Sequence, residues 1–164
     1  MPARGLIGVR NRVLNASGGE ATMSHVFHEY GPHRGEIKGR GAGVLISMSP
    51  GKATAHSLDA LKDRGTFFTP PQTEIYEGMI VGENCKDNDL VVNLAKEKQL
   101  NNIRSSTKES FTKLQANRIL GLEDALEYVG EDELVEVTPN HIRLRKRVLK
   151  ETDRKRDSRR NAKV

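Results

Sequence analysis

Leu134-Val135-Glu136-Val137, then Thr138-Pro139-Asn140, then His141-Ile142-Arg143-Leu144-Arg145-Lys146-Arg147-Val148-Leu149: this stretch reads as two strand arms around a short turn. Pro and Asn suit the turn, and the residues on either side suit pleated strands. Successive strand residues point to opposite faces. On the second arm that rule sends Ile142, Leu144 and Val148 to a core and sets Arg143, Arg145 and Arg147 on the other side. Alternate residues of a strand stand roughly 6.5–7 Å apart, close to the spacing of successive phosphates. Such a ladder could follow a nucleic-acid backbone. The plain alternative is a solvated strand face.

Working outward from the hairpin, Lys150, Arg154, Lys155, Arg156, Arg159 and Arg160 extend the same charge toward the C-terminus. From Pro139 to Val164 there are eleven Lys/Arg against three Asp/Glu, whereas the whole chain carries only +5, so the preceding residues are net acidic. Basicity concentrated at one end is the footprint of a phosphate contact rather than a diffuse solubility feature. The tail has almost no apolar residue to bury, so it reads as a disordered arm or a polar helix.

Toward the N-terminus, Leu122, Ala125, Leu126 and Val129 fall on one helical stripe that Gly130 ends. The acidic run from Glu123 to Glu136 reads as solvated. Residues 101–118 are rich in Asn, Ser, Thr and Lys and have little periodicity. Loops of that length are usually functional or disordered. Arg104, Lys108 and Lys113 could grip RNA there and Phe111 could stack on a base, or the segment is an ordinary loop.

Further back, Val44–Ile46, Ile75–Val81 and Leu90–Leu94 read as strands, the last two joined through Lys86-Asp87-Asn88-Asp89. Ser49-Pro50-Gly51 suits a type II turn, with Ala53 and Ala55 on a returning arm. Leu58–Arg64 suits one helical turn. Gly31-Pro32-His33-Arg34-Gly35 is a breaker cluster and the candidate domain boundary. Before it, residues 4–16 form a helical stripe stopped by Ser17-Gly18-Gly19. Residues 20–30, with Met23, Phe27 and Tyr30, read as a strand. One helix and one strand cannot bury themselves, so the opening looks like the end of a domain begun upstream, with an apolar face that favours self-association or local disorder of residues 1–34.

Composition excludes several classes. In 164 residues, 35% hydrophobic and 4% aromatic content without Trp implies a small core of Leu, Ile and Val. No apolar run approaches the roughly 20 residues that cross a bilayer. The single Cys85 permits no internal disulfide and fits a cytoplasmic setting. Gly51-Lys52 lacks the Gly at position 46 and the Ser or Thr at position 53 that a phosphate-binding loop needs. His25 and His28 point to opposite strand faces and make a poor metal pair. Ser47, Ser49, Ser57, His56 and Asp59 form no nucleophile elbow. The residues therefore predict no catalytic group, no metal and no cofactor.

Longer motifs carry a family resemblance. Arg4-Gly5-Leu6-Ile7-Gly8-Val9-Arg10 resembles the end of the elongation-factor-G-like domain V of the TypA/BipA translational GTPases. The likeness runs through Tyr30, Arg34-Gly35-Glu36, Gly43-Val44-Leu45-Ile46-Ser47 and Gly51-Lys52-Ala53. It continues at Tyr76-Glu77-Gly78-Met79-Ile80-Val81-Gly82, Asn88-Asp89-Leu90 and Leu100-Asn101-Asn102-Ile103-Arg104. It ends with Leu122–Glu127, Asp132–Pro139 and Ile142–Lys146. Gln115-Ala116-Asn117 departs from the family, where a proline-containing stretch is usual.

The resemblance implies an α+β chain: the C-terminal part of a ferredoxin-like domain over residues 1–34, the family's mostly β C-terminal domain with one or two helices over 35–150, and a basic tail over 151–164. It implies a longer protein whose GTP and magnesium are held in an N-terminal G domain. The expected partners are the ribosome, at the A site of its large subunit, large-subunit ribosomal RNA and the tRNA acceptor stem. The implied roles are ribosome biogenesis, as assembly of the large subunit, and translation under stress. By likeness to the family's mobile loop, Arg104, Ser105, Ser106 and Lys108 are contact candidates beside Lys113, Arg143, Arg145, Arg147, Lys150, Arg154, Lys155 and Arg156. The competing classes are a stand-alone basic ribosome-assembly or nucleic-acid-binding protein, and an interaction module for acidic proteins.

Overall fold

Val44-Leu45-Ile46-Ser47 shows no alternation because both of its faces are covered. All four residues are buried, and a strand buried on both faces reads as an unbroken apolar run. Leu45 packs with Ala53, Leu58, Phe67, Ile75, Met79, Val81, Val92 and Leu94. Val44 and Ile46 pack on the other side with Ile80, Ala125, Tyr128 and Leu144. The computed structural model of the chain describes residues 2–6, 8–33, 35, 40–97 and 116–161.

In chain order the elements are α1 (Val9–Ala16), β1 (Val44–Ser47), β2 (Gly51–Lys52), α2 (Ala55–Ala60), β3 (Gly65–Phe67), β4 (Glu74–Ile75), β5 (Met79–Asn84), β6 (Leu90–Val92), α3 (Leu122–Tyr128), β7 (Glu133–Val137), β8 (Ile142–Lys146) and α4 (Glu151–Asn161). The main sheet runs β6-β1-β5-β8-β7, with β3 also paired to β5. Leu58 of α2 joins the core on one face and Ala125 and Tyr128 of α3 that on the other. This is the α+β, mostly-sheet body that the sequence implied.

Several local expectations change. The arm after Ser49-Pro50-Gly51 does not return along β1. Instead β2 pairs with β4, Gly51 opposite Ile75 and Lys52 opposite Glu74. Thr54 turns the chain into α2: its Oγ1 accepts from the Ser57 N–H at 3.2 Å and donates to the Lys96 carbonyl at 2.7 Å. A Thr so placed caps a helix rather than extending a strand. Strands β5 and β6 follow one another in sequence but are separated by β1, which pairs antiparallel with β5 and parallel with β6.

The opening residues divide into a 3-10 turn, Ala3–Leu6, and α1. Gly18, at φ +64°, carries the chain out of α1, and the Gly19 N–H donates to the Leu14 carbonyl at 2.8 Å. Residues 20–30 form no strand. Val26 and Tyr30 are 91% and 95% exposed, and the rings of Phe27 and Tyr30 lie against each other at 5.1 Å. Without a partner among the described residues, the segment has no ladder to join. The tail beyond Lys150 takes the helical alternative as α4.

Helix α3 lies where its periodicity put it, and two of the four expected stripe residues pack inward, Ala125 buried and Val129 partly buried. Ala125 and Tyr128 face the sheet, while Leu122 and Leu126 are 44% and 59% exposed. Tyr128 stands edge-on to Phe68 with ring centroids 5.2 Å apart. Such a pair contributes about 0.5–1.5 kcal/mol beyond its buried area.

Candidate nucleic-acid interface

The hairpin β7–β8 positions the basic strand. Its turn is closed by Thr138, whose N–H and hydroxyl both donate to the His141 carbonyl at 2.9 and 3.0 Å, while Oγ1 accepts from the His141 N–H at 3.0 Å. This fixes the register: Val137 opposite Ile142, Glu136 opposite Arg143, Val135 opposite Leu144, Leu134 opposite Arg145 and Glu133 opposite Lys146. A one-residue slip would send every side chain to the wrong face.

The alternation expected along β8 is present, with two changes. Leu144 is buried and Arg143 and Arg145 share the opposite, part-exposed face. Ile142, expected in the core, is 39% exposed at the strand end. Arg147 lies past the end of β8, where its N–H donates to the Asp132 carbonyl at 2.8 Å and its guanidinium to the Glu131 carbonyl at 2.6 Å. The strand thus holds two arginine rungs, with a third cation at its exit.

Arg143 and Arg145 converge on one carboxylate. Arg143 Nη1 is 3.7 Å from Glu136 Oε1 and Arg145 Nε is 3.9 Å from Oε2. The Tyr76 hydroxyl donates to Oε2 at 2.8 Å. Burial and this hydrogen bond to a carboxylate push the Tyr76 phenol up to about 12, so it is a donor at all ordinary pH.

Helix α4 adds charge in a fixed direction. The Glu151 N–H donates to Glu77 Oε1 at 3.2 Å, a borrowed cap from the loop before β5. Arg154 turns inward and donates to the Val148 and Leu149 carbonyls, which commits it to holding the helix. Lys155 and Arg156 lie outward in pairs with Glu151 at 2.5 Å and Asp153 at 3.2 Å. Exposed pairs of this kind are worth a few tenths of a kcal/mol and leave the cations available to a stronger anion. Lys150, Arg159 and Arg160 are exposed. The contact candidates Arg104, Ser105, Ser106, Lys108 and Lys113, together with Phe111, lie outside the described residues.

The other face of the hairpin holds a cluster that the sequence reading missed. Glu133, counted there among solvated acids, is fully buried at its side chain. Arg40 grips it with two parallel hydrogen bonds of 2.9 and 2.8 Å. Lys146 donates to it at 3.0 Å, to Asp132 at 2.8 Å and lies 2.7 Å from Asp89. Arg40 also donates to the Tyr128 carbonyl at 3.1 Å and stacks 4.5 Å from the centre of the Tyr128 ring. Burial alone would raise the Glu133 carboxyl. The hydrogen bonds from Arg40, the Gly130 N–H and Lys146 outweigh it and hold the group at about 2. The signal lay in the alternation itself, which puts Lys146 on the core face between Leu144 and Val148. A buried lysine demands carboxylates, and Asp132 and Glu133 lie directly across the hairpin. Each carboxylate oxygen of Glu133 accepts two hydrogen bonds, so the cluster is a clamp closed around that group.

The comparisons with known proteins fit this hairpin-centred domain. A family model described as the TypA/BipA C-terminal domain matches residues 42–151, from just before β1 to the first residue of α4. The chain belongs to the TypA/BipA family. It is 49% identical over 155 residues to BipA of Bacillus subtilis, named as an assembly factor of the large ribosomal subunit, a match covering 94% of this chain and 25% of that protein. Proteins of the same name from Synechocystis and Salmonella typhimurium are 46% and 44% identical over 146 and 160 residues, covering 89% and 97% of this chain and 24% and 26% of theirs. The chain therefore spans about a quarter of the length of these TypA/BipA relatives. The family match includes the arginine rungs of β8 and, from the clamp beneath them, Asp89, Asp132, Glu133 and Lys146, whereas Arg40 lies just before it.

Proposed function

We propose that the chain is the RNA-binding C-terminal module of a TypA/BipA-like, ribosome-associated GTPase. On this reading it docks at the A site of the large ribosomal subunit, where it meets ribosomal RNA and the tRNA acceptor stem. The observation that carries this reading is the register of β8. It holds Arg143 and Arg145 on one face at strand spacing, so each guanidinium can neutralise a phosphate with little further ordering cost. Lys150, Lys155, Arg156, Arg159 and Arg160 extend the charge along α4. These contacts carry no base code and supply affinity rather than placement. Placement falls to the family loop with Arg104, Ser105, Ser106, Lys108 and Lys113.

The chain itself then does no chemistry. GTP and magnesium belong to a G domain elsewhere in a longer cytoplasmic protein, which serves assembly of the large subunit and translation under stress. The exposed Val26, Phe27 and Tyr30 belong to a surface that another domain or a second copy covers.

Co-sedimentation with purified large subunits tests the division of labour. Arg104→Ala with Lys108→Ala should lower ribosome binding while leaving affinity for generic RNA unchanged. Equal losses on both would contradict it.

A further inference from the structure

Two acid–base groups sit on opposite faces of one hairpin, three residues apart on β7, and they differ in kind. At Glu133 the partners are at hydrogen-bond distance and the pair is closed. At Glu136, among the described residues, Tyr76 alone is, at 2.8 Å. The two guanidiniums stand at 3.7 and 3.9 Å, beyond hydrogen-bond reach. Their nitrogens converge on one carboxylate without being consumed by it, while Arg145 Nη1 also donates to the Lys146 carbonyl at 3.4 Å. One carboxylate faces two full cations, so the group retains a net positive charge. All four side chains are part-exposed, within reach of an arriving anion.

We propose that Tyr76, Arg143 and Arg145 form a site for a backbone phosphate of RNA, and that Glu136 occupies it in the free protein as an internal competitor. The proposal rests on the RNA-binding reading above and adds how that binding is restrained. A phosphodiester carries the same single charge as a carboxylate and presents two acceptor oxygens to the same donors. Guanidinium forks suit those oxygens better than a carboxylate held off at nearly 4 Å. Glu136 keeps the cations apart and oriented without RNA, at the cost of offsetting about half their charge. It lowers indiscriminate affinity, so binding depends more on contacts made elsewhere.

The test is anisotropy with a single-stranded oligouridine RNA across a salt series. Glu136→Gln should tighten binding by about threefold to tenfold near 0.1 M salt and steepen the log–log salt slope by about 0.7, one more phosphate neutralised. Asp63→Asn makes the same charge change beside Gly65, at the end of β5 remote from Arg145, and should move affinity less than twofold. The gain should vanish when Arg143→Ala and Arg145→Ala are added. Unchanged or weaker binding by Glu136→Gln, or an equal gain from Asp63→Asn, overturns the competitor role while leaving RNA binding intact. Wild-type binding that is indifferent to Arg143→Ala with Arg145→Ala overturns the RNA reading of β8 as well. Saturation of the Arg145 Nε–H resonance by millimolar inorganic phosphate alone would mark a free-anion site and refute the backbone assignment.

Discussion

Lys146 and Glu133 face each other across the β7–β8 ladder and meet at 3.0 Å on its buried face. Arg40, 93 residues from Glu133 in sequence, completes the pair from the start of the domain. The same hairpin therefore carries a closed charge cluster beneath and an open one above. The lower one lies in the same register that the Thr138 turn sets for the upper one.

Removing Arg40 should be expensive. Breaking a buried ion pair by deleting one partner costs about 3–5 kcal/mol, because the other charge is left without compensation. Lys146 remains beside Glu133, so Arg40→Ala should fall toward the lower end. Urea unfolding of wild type and variant measures it, and a loss under about 1 kcal/mol, the scale of an exposed pair, would show the clamp to be weak.

The clamp also predicts acid sensitivity. The folded Glu133 carboxyl lies at about 2, below its ordinary 4.5. A depressed carboxyl contributes stability that is fully present above the unfolded value and is lost as pH falls through the folded one. Wild type should lose stability from pH about 4.5 to about 2. Glu133→Gln, weaker at neutral pH, should have a flatter profile across that window in chemical denaturation at stepped pH.

Gly78 should not tolerate a side chain. It sits at φ +84°, and an added Cβ would lie 2.6 Å from the Leu149 Cα and 2.7 Å from its carbonyl oxygen. Its own carbonyl accepts from the Lys146 N–H at 2.9 Å, so the backbone cannot withdraw freely. Gly78→Ala should cost more than Gly18→Ala, which meets open space at φ +64° and should lose only about 1 kcal/mol. Thermal melts of the two variants decide the order.

Truncation after Leu149 removes α4 and its cations while leaving the sheet. RNA affinity should fall on every sequence tried, and its salt dependence should flatten. A loss confined to one RNA sequence would mean that α4 reads bases instead.

How much of this was legible follows from where the information lay. The β7–β8 turn could be placed because Thr138-Pro139-Asn140 punctuates a period of two. The site of α3 and the inward packing of Ala125 and Val129 could be read from its own residues, but not the burial of Tyr128. Leu122 and Leu126 are the more apolar choice, yet Tyr128 is held inward by Phe68 and Arg40, which come from distant segments. The pairing of β2 with β4 spans two residues on each side, too few to leave a periodic trace. In residues 20–30, Met23 and Phe27 fall on one strand face and Tyr30 on the other, so no single apolar face existed to demand a sheet. Arg40 belongs to no periodic segment or motif in the sequence, and the enforced burial of Lys146 is the hint at the cluster it joins.

Strand β8 is proposed to bind a phosphate backbone. The most direct measurement is the slope of log affinity against log salt for single-stranded RNA, with wild type and with Arg143→Ala/Arg145→Ala. Binding should weaken linearly with salt, and the double substitution should reduce the slope by about 0.7–1.4, one to two phosphate contacts. Identical slopes for the two proteins would contradict the account.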